Sequence, residues 1–174
     1  STIPKNLTPL NCQNSGTTMR CGLGLLVGWN IRAQLYGDVS LQRRPMERIV
    51  TPLVKAGAHI TTSHGRAPLW IEDHSGLQEL DIRLNVASAQ VCTSLIVASL
   101  LQSLPIKITA PHLAKTRDHT QRFLTYYDVA YQQQDDTLTL EALPSLWPGF
   151  QITIPQDFST AAFFIVYALL HPEG

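Results

Sequence analysis

Charge is scarce in this sequence, and what there is has no bias of sign. Of 174 residues, 13 are Lys or Arg and 13 are Asp or Glu, so the formal net charge is zero. No long run of like charge occurs, which excludes the basic stripe or tail through which a protein grips nucleic-acid phosphates. Cysteine is scarce too. The three, Cys12, Cys21 and Cys92, lack metal-ligand spacing, and any one pairing leaves a thiol over. A reduced, cytoplasmic protein is therefore the expectation. The apolar segment at residues 161–170 is half of the roughly 20 residues a membrane span needs, and no leader-like segment opens the chain. Aromatics make up only 7 %. Trp29, Trp70 and Trp147 form no stripe and read as packing residues.

What the chain does have is a distinctive stretch at residues 14–28, where Asn14-Ser-Gly-Thr-Thr-Met-Arg20 runs into an apolar segment ending at Gly28. The first N–H groups of a helix lack intrahelical partners, and the aligned peptide dipoles leave partial positive charge there. An anion is stabilised by both effects, a small residue such as Gly16 lets it approach the backbone, and Arg20 adds a planar donor fork. Taken alone, the segment equally fits an ordinary Asn14 or Ser15 cap followed by a surface arginine.

The order of elements decides between these readings. After the first helix, residues 31–36 alternate as a strand, residues 46–56 carry helical spacing interrupted by Pro52, and Gly57 closes that helix. Two short strands follow at residues 59–63 and 69–72 around a His64-Gly65 turn. The pattern then restarts: a helix at residues 85–101, a strand at 105–109, a basic loop leading into a helix that ends near Tyr127, and strands at 129–134 and 137–140 around Asp135-Asp136. A third helix enters at residues 161–170. The period is regular, with 74 positions from Asn14 to Ser88, 71 from Ser88 to Ser159 and 74 from Arg43 to Arg117. Such repetition marks a duplicated supersecondary unit. The expected fold is α/β (α+β), with repeated βαβαββ units at about 1–84 and 85–153 and the start of a third at 154–174. Helices apolar all round must be buried. Three of them would pack centrally with the sheets outside, bringing their polar N-termini together beside the Arg44 and Arg117 loops as one anion site. The abrupt start and the stop just after an apolar helix suggest one part of a larger protein.

Five ordered motifs carry a family resemblance. Asn14-Ser-Gly-Thr-Thr-Met-Arg20 is similar to Asn-Ala-Gly-Thr-x-x-Arg of the 5-enolpyruvylshikimate-3-phosphate (EPSP) synthases, or 3-phosphoshikimate 1-carboxyvinyltransferases. Gly37-Asp-Val-Ser-Leu-Gln-Arg-Arg-Pro-Met46 resembles their Gly-Asp-x-Ser-Leu-x-x-Arg-Pro-Met. Ala87-Ser-Ala-Gln-Val91, Thr116-Arg-Asp-His-Thr120 and Ile154-Pro-Gln-Asp-Phe-Ser-Thr-Ala-Ala-Phe163 complete the series. The resemblance implies one lobe of a two-lobe transferase with its active site in the cleft. The 5-hydroxyl of shikimate 3-phosphate attacks carbon 2 of phosphoenolpyruvate, and the tetrahedral intermediate then loses phosphate. It implies shikimate 3-phosphate contacts at Ser88, Ala89, Gln90, Thr116 and Arg117. It implies phosphoenolpyruvate contacts at Gly16, Arg20, Arg44 and Gln90, with no metal or organic cofactor.

Some positions depart from the family pattern. Gln156 replaces the glycine of Pro-Gly-Asp, Ala89 stands where some members have serine, and Asp157 matches a family aspartate or serves as a helix cap. No stretch matches the lysine, aspartate, glutamate and further arginines expected from the second lobe, so no catalytic acid or base is identified here. A UDP-N-acetylglucosamine enolpyruvyl transferase is a weaker match, since residues 37–44 lack that family's cysteine. The alternative from another class is a binding module that kept the fold and lost the chemistry. His59, His64, His74 and His171 are expected in surface or turn roles; His119 could bond a phosphate or order its loop.

Overall fold

The computed structural model describes residues 5–7, 9–78, 80–143, 151–154 and 158–171. Its first half holds β1 (Leu10–Asn11), α1 (Gly16–Gly28), β2 (Ala33–Tyr36), a single turn α2 (Val39–Gln42), α3 (Glu47–Lys55), β3 (His59–Ser63) and β4 (Arg66–Glu72). Its second half holds β5 (Leu80–Arg83), α4 (Ala89–Leu101), β6 (Ile106–Thr109), a 3-10 turn at Leu113–Lys115, α5 (His119–Tyr126), β7 (Tyr131–Gln134) and β8 (Thr137–Leu140). A last helix, α6, spans Phe158–Leu170.

The two halves repeat one topology. The sheets run β1-β2-β4-β3 and β5-β6-β8-β7, each with one parallel pair at the start of the unit and two antiparallel pairs after it. Within the first sheet Leu35 faces Leu69, and within the second Ile106 faces Leu140, so each sheet turns one apolar face inward. The β3–β4 hairpin turns at His64 (φ 51°) and Gly65 (φ 73°), the positive pair that a two-residue hairpin loop favours. The second sheet already includes Leu80–Arg83, which the division at about residue 84 had left in the first unit.

Two of the three apolar helices meet as expected. α1 and α4 cross at small residues, and the approach is close: a Cβ added to Gly24 would stand 2.1 Å from the Ser94 carbonyl oxygen. Gly28 also lies close, where an added Cβ would stand 2.9 Å from Leu101 Cβ and 3.0 Å from Ala98 Cα. Beneath the crossing, Met19, Leu23, Leu95 and Ile96 are fully buried. The third helix differs. Along α6 the side chains of Phe163 and Leu169 are 79 % and 75 % exposed, and no sheet among the described residues covers them. Apolarity all round signals that a helix requires cover, and the described part of the third unit supplies none.

His74, expected in a surface or turn role, lies in the loop after β4 but is buried there. It is 6 % exposed, and its Nε2 lies 2.9 Å from the Val27 carbonyl, while its backbone exchanges two hydrogen bonds with the Asn30 side chain. Those bonds satisfy groups at the C-terminal end of α1, where Asn30 has φ 53°. Trp29 and Trp70 lie at the surface, more than a third exposed, and Trp147 is outside the described residues.

Candidate anion site at the α1 and α4 N-termini

Ser15 caps α1, its Oγ accepting from the Thr18 N–H at 3.1 Å and from the Thr18 hydroxyl at 2.8 Å. The parallel β1–β2 pair sets what stands beside that cap. Cys12 N–H donates to Tyr36 O at 2.8 Å and Asp38 N–H to Gln13 O at 2.8 Å, which carries the two chains side by side out of the sheet. Asn14 and Asp38 thereby meet, the Asn14 amide donating to Asp38 Oδ2 at 2.7 Å. On its other side the Asn14 carbonyl accepts from Arg44 Nη2 at 2.8 Å. The other oxygen of Asp38 caps α2 through the Leu41 N–H at 2.8 Å. Hydrogen bonds from Asn14 and then Leu41 hold the Asp38 carboxyl below the usual carboxylate range.

Arg20 sits one turn into α1 and reaches across to the second unit. Its Nη1 donates to Gln90 Oε1 at 2.8 Å, and Gln90 Nε2 donates to Thr17 Oγ1 at 2.6 Å. The guanidiniums of Arg20 and Arg44 converge on Gly16: a Cβ there would stand 2.9 and 3.0 Å from their Nη1 atoms. A side chain at residue 16 would therefore displace both cations. Burial, followed by the nearby charges of Arg44 and Arg48, lowers the Arg20 pKa from its ordinary value. Among the described residues neither Arg20 nor Arg44 has a carboxylate within 4 Å. Two guanidiniums, a carboxamide and a helix N-terminus thus face one place, where neither guanidinium is directly paired and the Asp38 carboxylate reaches Arg44 through Asn14. That arrangement suits a small dianion such as a phosphate or a carboxylate-bearing phosphate ester.

Of the second group of sequence-assigned residues, Ala89, Gln90 and Arg117 form a neighbouring wall, and Ser88 and Thr116 do not line it. Ser88 occupies the N-cap of α4 but makes no side-chain bond to that helix's own N–H groups. Ala89 and Gln90, at the start of α4, line a cavity of about 350 Å³ together with Arg117 and His119. Cys21 and Phe123 supply part of its apolar lining. One turn further along α4, Thr93 Oγ1 donates to Ala89 O at 2.9 Å and stands 2.5 Å from Thr120 Oγ1, tying the start of α5, just after Arg117, to α4. Thr116 is turned otherwise, its hydroxyl donating to Leu113 O at 2.9 Å. Gln156 and Asp157 lie outside the described residues.

Of the assigned residues, Gly16, Arg20, Arg44 and Gln90 are brought into one cluster, while Ala89, Gln90 and Arg117 share the adjoining cavity. Sequence reasoning had not assigned Thr17, Asp38 and Thr93 roles here. Each lies in or beside a quoted motif, but their parts depend on partners 73, 24 and 27 positions away. Among the described residues no group of three His, Cys, Asp or Glu side chains could hold a metal ion, and no helix is long and apolar enough to cross a membrane.

Twin βαβαββ units with an arginine- and amide-bearing site at their joined helix ends define a lobe of the enolpyruvyl transferase type. The profile of the family described as EPSP synthase (3-phosphoshikimate 1-carboxyvinyltransferase) matches residues 1–173, and the chain belongs to that family. Two relatives bearing the name 3-phosphoshikimate 1-carboxyvinyltransferase illustrate the similarity. That of Desulforudis audaxviator is 41 % identical over 95 % of this chain and 38 % of its own length. That of Halorhodospira halophila is 43 % identical over 94 % of this chain and 36 % of its own. The solved EPSP synthase of Acinetobacter baumannii superposes with a TM-score of 0.78 at 36 % identity, over 92 % of this chain and 36 % of that one. The chain thus spans somewhat more than a third of the length of the relatives it matches.

Proposed function

We propose that this chain provides the shikimate-3-phosphate-binding part of a cytoplasmic 3-phosphoshikimate 1-carboxyvinyltransferase and acts together with a second lobe. The observation that carries the reading is the joining of Arg20 to Gln90 across the two units at 2.8 Å, beside Arg44 and Gly16. In the reaction, the 5-hydroxyl of shikimate 3-phosphate adds to carbon 2 of phosphoenolpyruvate. The tetrahedral adduct then expels inorganic phosphate to leave the enol ether. Arg20 and Arg44 neutralise the phosphate and carboxylate of phosphoenolpyruvate at the α1 N-terminus. Arg117, with Ser88, Ala89 and Thr116, holds the phosphate and ring of the acceptor. Gln90 lies between the two groups and sets the distance from hydroxyl to enol carbon. Proton transfer is assigned to groups outside this chain.

Calorimetric titration tests this. Shikimate 3-phosphate is expected to bind the folded chain more tightly than shikimate, and Arg117→Ala to remove roughly 10- to 100-fold of that affinity, as loss of a charge-assisted hydrogen bond does. Equal binding of shikimate and its phosphate, or an unchanged affinity in the variant, would sink the proposal.

A further inference from the structure

Away from the site, two adjoining depressions of about 500 and 480 Å³ form one groove between α3 and β5. The consecutive residues Leu80, Asp81, Ile82, Arg83 and Leu84 all line it. Successive side chains of a strand point to opposite faces, so a groove touching all five follows the strand's edge. Among the described residues β5 is the outermost strand of its sheet and pairs with β6 alone. The Leu84 N–H donates to Thr109 O on the β6 side at 2.9 Å. Alternation along a parallel strand therefore turns the backbone N–H and C=O groups of Asp81 and Arg83 outward, into the groove. The facing wall is one side of α3, where Thr51, Pro52, Lys55 and Ala56 follow helical spacing. Pro52, Ala56, Leu80 and Ile82 are buried and make its floor apolar.

The charges around this groove are unbalanced. Arg48, Lys55 and Arg83 line it, are exposed, and among the described residues have no carboxylate within 4 Å. Against these three cations stand two acids, both placed toward other neighbours. Asp81 pairs with Lys107 at 3.9 Å, and the Glu47 carboxylate lies against Gly65 at the β3–β4 turn. An unpaired strand edge offers main-chain hydrogen bonds to another extended segment, and five strand residues span about 16 Å.

We infer that this groove takes an extended peptide segment bearing acidic side chains, which adds as a strand along the open edge of β5 and sets its carboxylates against Arg48, Lys55 and Arg83. The β-edge supplies affinity through the backbone of Asp81 and Arg83, and the three cations supply selectivity for negative charge. The inference stands apart from the transferase reading, because Lys55, Asp81 and Arg83 take no part in the α1 and α4 site and Arg48 reaches it only through its charge near Arg20.

Fluorescence anisotropy with a labelled nine-residue peptide of alternating valine and glutamate tests it directly on the chain. That peptide is expected to bind, and the Lys55→Glu/Arg83→Glu double variant to weaken it at least tenfold with an unchanged melting temperature. Asp81→Pro, which removes one outward N–H and a carboxylate but no cation, is expected to weaken it several-fold despite the gain in net positive charge. Equal binding of a proline-glutamate peptide, which cannot pair as a strand, overturns the inference, as does equal binding of the valine-lysine peptide. No loss in the double variant overturns it too. Self-association seen by sedimentation and abolished by the same variants would assign the groove to a second copy of the chain and overturn it likewise.

Discussion

The N-termini of α1 and α4 occupy equivalent places in two repeats of one topology, yet they are prepared differently. At α1 the helix end is closed by its own serine and ringed by a chain of side chains, Asp38 to Asn14 to Arg44, with a second guanidinium from Arg20. At α4 the serine in the same position makes no bond to its helix, and an arginine of its own unit, Arg117, stands on an exposed loop beside a cavity. One end is tied by side-chain hydrogen bonds, and the other has a cap serine that makes no such tie to its helix. The two repeats thus present two helix ends, of which the first is organised by side-chain bonds and the second is left open. Gln90 joins them by belonging to α4 while bonding two residues of α1.

The most damaging way to break this pairing is to force the helices apart. Gly24→Ala would place a methyl 2.1 Å from Ser94 O, a backbone atom that cannot rotate away. Gly22, two residues earlier on the same helix, has nothing within 4 Å of the corresponding point. Gly24→Ala is expected to cost about 3 kcal/mol by denaturant unfolding, at the upper end for overpacking. Gly22→Ala should stabilise by about 0.5–1 kcal/mol, the ordinary gain of alanine over glycine inside a helix. Equal effects at the two glycines would mean that the close crossing does not set the position of the two ends.

A second change separates the two ends without touching the crossing. Arg20→Ala removes the bond to Gln90 and one of the cations at Gly16. Phosphoenolpyruvate affinity should fall roughly 10- to 100-fold, and shikimate 3-phosphate affinity should fall less. The melting temperature should hold or rise, because Arg20 lies near the like charges of Arg44 and Arg48. A variant that unfolds earlier and loses both ligands equally would make Arg20 a structural residue.

How much of this could be read from the residues differs between scaffold and site. The repeat was legible because capping residues, apolar helices and hairpin turns are local signals, and they recur at a constant interval. The hairpin at His64-Gly65 and the helix containing Pro52 are examples. β5 was not, since four residues of alternating pattern become a strand only through parallel pairing to β6, 26 positions on. The exposed state of α6 was hidden for the converse reason: apolarity reports that a helix needs cover, never whether cover is present. At the site the arginines and Gln90 were readable from motif matches. The Asn14 to Asp38 tie required β1 and β2 to lie parallel, which no local pattern encodes.

The smallest effect probes the closed end alone. Asp38 has its carboxyl held below the ordinary value, first by the Asn14 amide and then by the Leu41 N–H. A carboxyl with a depressed folded-state pKa contributes stability that is complete above its unfolded value, near pH 3.9, and is lost as pH falls through the folded one. Thermal unfolding at pH 7 and pH 3 should therefore show an acid-dependent loss in the parent that shrinks in Asp38→Asn and, to a lesser degree, in Asn14→Ala. Ser88→Ala at the other end breaks no cap bond, so its change should be slight and equal at the two pH values. If Ser88→Ala instead showed an acid dependence like that of the Asp38 variant, the two helix ends would be electrostatically alike. The distinction between a preformed and an open terminus would then rest on the arginines alone.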